Sequence, residues 1–170
     1  MSLYLLDANI LITANSSYYP IDQVPEFWSW LQHQGATGNV KIPLEIMEEI
    51  LQGREDDPVV RWLSADANSD ALRFSETVDA ALVQLVVMTG YAPDLTDVEL
   101  EQIGNDPFLI AHALANPTDR WVVTTEVSRP AKQRQNRKIP DVCGIFGVPC
   151  CGPFALNRTL GFNTRWRPGT

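Results

Sequence analysis

The sequence predicts an α/β fold built on a short parallel sheet. Short apolar runs at 3–6, 40–43 and 121–124 read as strands buried on both faces. Stretches with helical spacing or helix caps lie between them, and strands separated by helices imply right-handed parallel crossovers. The 170 residues are 45% hydrophobic and 20% charged, which are globular values and fit one domain over residues 1–170. A chain of this length buries roughly 70% of its unfolded surface, so it needs no disulfide or metal staple.

The elements follow in order. Leu3, Tyr4, Leu5 and Leu6 form an apolar run that stops at Asp7. Asp7, Ala8 and Asn9 then open a short helix, since Asp and Asn suit caps. Tyr18, Tyr19 and Pro20 break the chain, and residues 24–34 form a helix with Pro25 in its first turn. Residues 40–43 are a second strand. Residues 44–52 follow as a helix whose Ile46, Met47, Ile50 and Leu51 make one apolar stripe. Helices are expected at 58–65 and 78–88, with 72–74 an edge strand or part of a loop. Thr96 and Glu99 have capping-box spacing for a helix that runs to Ile103.

Asp106 and Pro107 open a helix that is apolar almost all round, so it belongs in the core, and Asn116 and Pro117 end it. Trp121, Val122, Val123 and Thr124 are the best strand pattern in the chain, and Glu126 lies just beyond. A loop, a short helix from Ile139 to Phe146 and a last short strand in 147–151 complete the reading. No internal repeat, low-complexity tract or domain boundary is visible.

The net charge of −8 argues against general nucleic-acid affinity, yet the charge is uneven. Arg129, Lys132, Arg134, Arg137 and Lys138 put five cations in one window with no acid between them. Such a window either grips a phosphate backbone or is a solvated loop. No apolar run reaches the ~18 residues of a membrane span. The N-terminus lacks the shape of a signal peptide, and Cys143, Cys150 and Cys151 are too few for a disulfide framework. A cytoplasmic protein with no membrane partner is therefore expected.

Ligands of parallel sheets bind outside the carboxyl ends of the strands. Asp7, Glu48, Glu49, Asp106 and Glu126 fall where such a sheet brings them toward one edge. Crowded carboxylates repel unless a cation sits among them, and an oxygen-only set suits Mg²⁺ or Mn²⁺. The matching chemistry is metal-assisted phosphodiester hydrolysis. Each acid also has a plain structural role open to it. Asp7 and Asp106 are good helix caps, and Glu126 is a solvated strand end. The helical wheel does not choose between Glu48 and Glu49.

Taken together, Leu5-Leu6-Asp7-Ala8-Asn9, Ile42-Pro43 with Ile46-Met47-Glu48-Glu49-Ile50, Asp106-Pro107-Phe108-Leu109-Ile110-Ala111 and Val122-Val123-Thr124-Thr125-Glu126 resemble the acidic motifs of a PIN domain. Tyr18-Tyr19-Pro20, Phe27-Trp28 and the 138–143 stretch resemble a PIN-like branch close to VapC-type toxins. The resemblance implies a three-layer α/β/α fold and a Mg²⁺- or Mn²⁺-dependent ribonuclease, the toxin of a type II toxin–antitoxin pair. It implies Asp7, Glu49, Asp106 and Glu126 as metal-binding, catalytic acids, and here the motif selects Glu49 over Glu48. Glu126 stands where Asp is more common, and its longer arm suggests action through water. Asn9 matches a small polar residue that orients Asp7 or a water. Asp141 is an outer acid or a helix cap, and the basic window would hold the RNA backbone.

The implied partners are an RNA substrate and an antitoxin protein, with a homodimer left open. The rival expectation is a non-catalytic PIN-like module that binds protein or RNA. Other signals are discounted. His112 is read as a packed core residue and the cysteines as small buried hydrophobes. The aromatic residues near 18–30 are read as core, although Tyr18 and Tyr19 in a loop are able to stack a base.

Overall fold

The computed structural model describes residues 1–169. Five parallel strands form one sheet: β1 (Leu3–Leu6), β2 (Val40–Pro43), β3 (Arg73–Phe74), β4 (Arg120–Val123) and β5 (Cys150–Cys151). Their order is β3-β2-β1-β4-β5, so the chain winds outward from β1 in one direction and then from β4 in the other. With right-handed crossovers, the two halves place their helices on opposite faces, which makes three layers, α/β/α. The order reverses between β1 and β4, where Leu3 to Leu6 pair in register with Arg120 to Val123. A crevice opens at that reversal, outside the carboxyl ends of the two strands.

Both faces of the central strands are covered, which is why they read as continuous apolar runs. Leu5, Leu6, Val122 and Val123 are fully buried, each contributing about 1.5–3 kcal/mol. Ten α-helices flank the sheet among the described residues. Between β1 and β2 lie α1 (Ala8–Thr13), a π-helical turn (Ala14–Tyr18) and α2 (Pro25–Ala36). Between β2 and β3 lie α3 (Leu44–Leu51), α4 (Pro58–Ser64) and α5 (Asp66–Leu72). The return to β4 uses α6 (Ala80–Leu85), a second π-helical turn (Val86–Tyr91), α7 (Asp97–Ile103) and α8 (Asp106–Leu114). A 3₁₀ turn (Arg134–Asn136) and α9 (Ile139–Phe146) lead to β5, and α10 (Pro153–Thr159) follows.

The caps explain several boundaries. Asp57 accepts from Val59 N at 2.8 Å and starts α4. The Thr96–Glu99 capping box is present with both of its bonds. The apolar stripe of α3 is buried at Ile46, Met47 and Ile50.

The structure departs from the sequence reading in four places. Residues 78–88 are not one helix, because α6 passes into the π turn at Val86 and continues to Tyr91. Helix α5 has no long apolar stripe to announce it: only Ser69 and Leu72 are buried. Helix α10 follows a strand of two residues and is not foreshadowed by the sequence pattern. Asp106 is not the N-cap of α8. Asn105 holds that position, and Asp106 is the first helical residue with no capping bond.

Candidate active site

Each acid reaches the crevice by a different route. Asp7 follows β1 directly, its amide bonded to Val123 O at 3.0 Å across to β4. It stands at the backbone N-cap position of α1, but its side chain makes no capping bond. The carboxylate instead accepts from Thr124 Oγ1 at 2.9 Å and is buried. Glu126 leaves the end of β4. Its amide donates to Thr124 Oγ1 at 3.1 Å, and its Oε2 accepts from Ile139 N at 2.7 Å. Asp106 begins α8, and Glu49 projects from α3 with its Oε2 accepting from Asn105 Nδ2 at 3.2 Å.

The four carboxylates feel one another. Asp106 is pushed up to about 8, first by burial and then by Asp7, Glu126 and Glu49. Asp7 is raised to about 6 by burial, with Glu126 and Glu49 adding to it and the Thr124 bond opposing it. Lys138 is the cation that opposes the rise at Asp106, and its Nζ lies 3.7 Å from Glu126 Oε1. Of Glu48 and Glu49, the bond to Asn105 identifies Glu49 as the one that turns toward the start of α8.

Among the described residues no three His, Cys, Asp or Glu side chains lie in ready metal-holding geometry. The carboxylates are drawn to one edge without closing on a point. The arm of Glu126 is the reason for part of this, since Ile139 N and Lys138 hold its carboxylate. The donor chemistry nevertheless fits a hard divalent ion: oxygen ligands, two of them with raised proton affinity through burial and crowding.

Other residues depart from expectation. Asn9 is exposed on α1, makes no side-chain hydrogen bond among the described residues and does not orient Asp7. Thr124 does that work. Asp141 is neither a member of the acidic group nor the N-cap of α9. Its carboxylate accepts from Ser128 Oγ at 2.5 Å and Arg129 N at 2.7 Å, and so folds the loop back on the helix. The basic window divides. Arg134 pairs with Asp94 at 2.8 Å and Glu99 at 2.8 Å, Arg137 donates to Gly90 O at 2.9 Å, and Lys138 faces Glu126. These three hold the protein together. Only Arg129 and Lys132 keep exposed side chains without a partner among the described residues.

Three contributors carry no signal in the sequence. Thr124 bridges two acids, and Asn105 joins α8 to Glu49 and to Glu45 O. Tyr91 is buried at the end of its π turn with no partner for its hydroxyl among the described residues. Burial and then Asp106, Glu126, Cys143 and Asp7 push that hydroxyl far up. A Thr just past a strand, or a Tyr at the end of an irregular helix, has no recognisable spacing. His112 is a packed core residue as read, with Nε2 3.1 Å from Glu45 Oε2 and its ring edge-on to Phe74. The cysteines are free, and Cys143 is buried while Cys150 and Cys151 are half-buried. A thiol hydrogen bond shared with Cys150 pushes Cys143 up.

Among known families, the model described as "Domain of unknown function (DUF4411)" matches residues 4–164, and the chain belongs to that family. No curated protein matches it.

Proposed function

We propose that this member of the DUF4411 family is a Mg²⁺- or Mn²⁺-dependent ribonuclease that hydrolyses RNA phosphodiesters. One observation carries the reading: Asp7, Glu49, Asp106 and Glu126 come from four separate segments and act on one another at the carboxyl edge of the sheet. Such repulsion destabilises the fold unless a bound cation offsets it. When bound, a divalent ion there would polarise the phosphate and favour ionisation of the attacking water.

The chain's own residues divide the remaining work. Asp7 and Asp106 are the fixed oxygens, Asp7 oriented by Thr124. Glu49 and Glu126 are the longer arms, and Ile139 N and Lys138 hold the Glu126 carboxylate. Lys138 balances charge at the edge. Arg129 and Lys132, exposed on the neighbouring loop, meet the RNA backbone. In the reaction, water oxygen bonds to phosphorus, the bond from phosphorus to the departing ribose oxygen breaks, and that oxygen takes a proton. A role as the toxin of a toxin–antitoxin pair rests on the resemblance to VapC-type proteins.

A second reading, a non-catalytic binding module, is favoured by the Lys138–Glu126 pair, which gives one acid an internal partner. Purified protein incubated with single-stranded and structured RNAs separates the two. Cleavage with Mg²⁺ or Mn²⁺ that stops in EDTA supports the nuclease. Cleavage unchanged by EDTA sinks the metal-dependent reading. No cleavage, together with no rise in melting temperature on adding Mn²⁺, leaves the binding module.

A further inference from the structure

Two buried side-chain polar atoms among the described residues have no hydrogen-bond partner, Trp30 Nε1 and Tyr91 Oη. Trp30 lies beside Phe27 and Phe162 in the aromatic core. Tyr91 lies near the acids: after burial, Asp106, Glu126, Cys143 and Asp7 are the groups that act on its hydroxyl. The chain holds Tyr91 there from both sides. Ala92 N donates to Val87 O at 3.1 Å and closes the π turn, and Gly90 O accepts from Arg137 at 2.9 Å. A Cβ at Gly90 would lie 2.7 Å from Val142 Cγ1, so glycine lets the turn sit this close to α9. The turn also packs against α8, the helix that Asp106 begins. π turns are rare and occur often at functional sites.

The four acids differ in what they accept. Asp7 accepts from the Thr124 hydroxyl, Glu126 from Ile139 N and Glu49 from Asn105. The Asp106 carboxyl accepts no hydrogen bond among the described residues, neither as a cap nor from another side chain. A buried donor without an acceptor thus stands near a carboxyl without a donor, and the two are not in hydrogen-bond contact. An unpaired buried hydroxyl costs stability, and that cost is recovered once an acceptor reaches it.

Resting on the metal-dependent reading, we infer that Tyr91 is the positioning residue of Asp106 in the ion-loaded site. Its hydroxyl donates to the oxygen of Asp106 that a divalent ion leaves free, as the Thr124 hydroxyl donates to Asp7. A carboxylate that gives one oxygen to an ion keeps lone pairs on the other. A donor on that second oxygen orients the carboxylate toward the ion. The hydroxyl keeps its proton throughout, so Tyr91 orients Asp106 and is neither an acid nor a base in the reaction.

The test is titration of the purified protein with Mn²⁺, read by calorimetry and by the near-ultraviolet difference spectrum. Wild type is expected to bind Mn²⁺ and to shift its tyrosine band to longer wavelength, as a phenol does on donating to a carboxylate. Tyr91→Phe is expected to bind Mn²⁺ about tenfold more weakly, through loss of one hydrogen bond to a charged group, and to lack the shift. A hydroxyl with a merely structural role would alter melting in EDTA and leave Mn²⁺ affinity alone. Asp106→Ala is expected to lack the shift with Tyr91 still present. Melting curves in EDTA check that each variant is folded, and the spectra of wild type and Asp106→Ala decide even without Tyr91→Phe. Three results overturn the assignment and leave the metal-dependent reading standing: Tyr91→Phe binding Mn²⁺ as tightly as wild type, wild type binding it without the shift, or the shift persisting in Asp106→Ala. A wild type that binds no Mn²⁺ removes that reading and the assignment with it.

Discussion

Thr124 donates its hydroxyl to Asp7 across 2.9 Å, and the same oxygen accepts the Glu126 amide at 3.1 Å. One side chain just past β4 therefore holds an acid beyond the end of each of the two strands, Asp7 by its carboxylate and Glu126 by its amide, at the point where the sheet reverses. Thr124→Val keeps the shape and removes both bonds. The loss of a bond to a buried carboxylate costs about 1.5–3 kcal/mol. Urea unfolding should show that loss at neutral pH, where Asp7 is ionised, and a smaller one at pH 5. An equal midpoint for the two proteins at neutral pH contradicts the bridge.

Asp106→Asn tests the acid that heads α8. Without a divalent ion the variant should be as stable as wild type or more so, since a carboxyl that is costly to ionise is replaced by a neutral amide. Its melting temperature should gain less from Mn²⁺ than that of wild type, by mass action. RNA cleavage should fall by orders of magnitude. Equal gains from Mn²⁺ with full activity remove Asp106 from the site.

The raised carboxyls give the fold a pH signature. Asp7 at about 6 and Asp106 at about 8 both lie above the ordinary aspartate value of 3.8. From about pH 4 to about pH 8 the folded protein holds protons that the unfolded chain has released, so stability falls as pH rises. The slope reaches at most about 1.4 kcal/mol per pH unit for each group. Glu99 works the other way, since Arg134 holds it down to about 2, and its contribution is lost below about pH 4. Melting in EDTA should thus peak near pH 4 and decline toward pH 8. Mn²⁺ should flatten the decline. A stability that rises from pH 5 to pH 8 in EDTA contradicts the crowding.

Tyr91→Phe removes a buried hydroxyl that has no partner among the described residues. An unsatisfied buried polar group costs about 1–3 kcal/mol, so the variant should unfold at higher urea without a divalent ion. A loss of stability would mean that the hydroxyl has a partner in solution.

The basic window should separate by pairing. Replacing Arg129 and Lys132 with Ala should make the log–log salt dependence of RNA binding shallower by up to about 0.7 for each phosphate no longer held, with little change in stability. Arg134→Ala should leave that slope alone and loosen the loop, because Arg134 is tied to Asp94 and Glu99. Limited proteolysis of the 127–138 segment reads the loosening. A slope unchanged in the Arg129 and Lys132 variant returns those residues to the solvent.

Much of the fold is legible in the chain because its signals are local. Leu3 to Leu6 and Trp121 to Val123 are apolar without alternation, which only a doubly covered strand requires. Thr96 and Glu99 announce their helix by spacing alone. The illegible parts lack such a signal. Val86 to Tyr91 leaves α-helical geometry only where it packs against α8 and α9. Arg134 and Arg137 are indistinguishable in sequence from Arg129, and the fold alone supplies the Asp94, Glu99 and Gly90 partners that consume them.

By itself, the sequence determined the class of fold, its central strands and the residue types from which an acidic site is built, since periodicity, caps and composition act over a few neighbouring residues. Only the tertiary structure decided which of these side chains meet. The order β3-β2-β1-β4-β5 brings Asp7 beside Thr124 over a separation of 117 positions and turns Glu49 toward Asn105. It also turns Asn9 out to solvent and sends Asp141 to its own loop. Those choices depend on crossover handedness and on burial shared among distant segments, which no local pattern encodes.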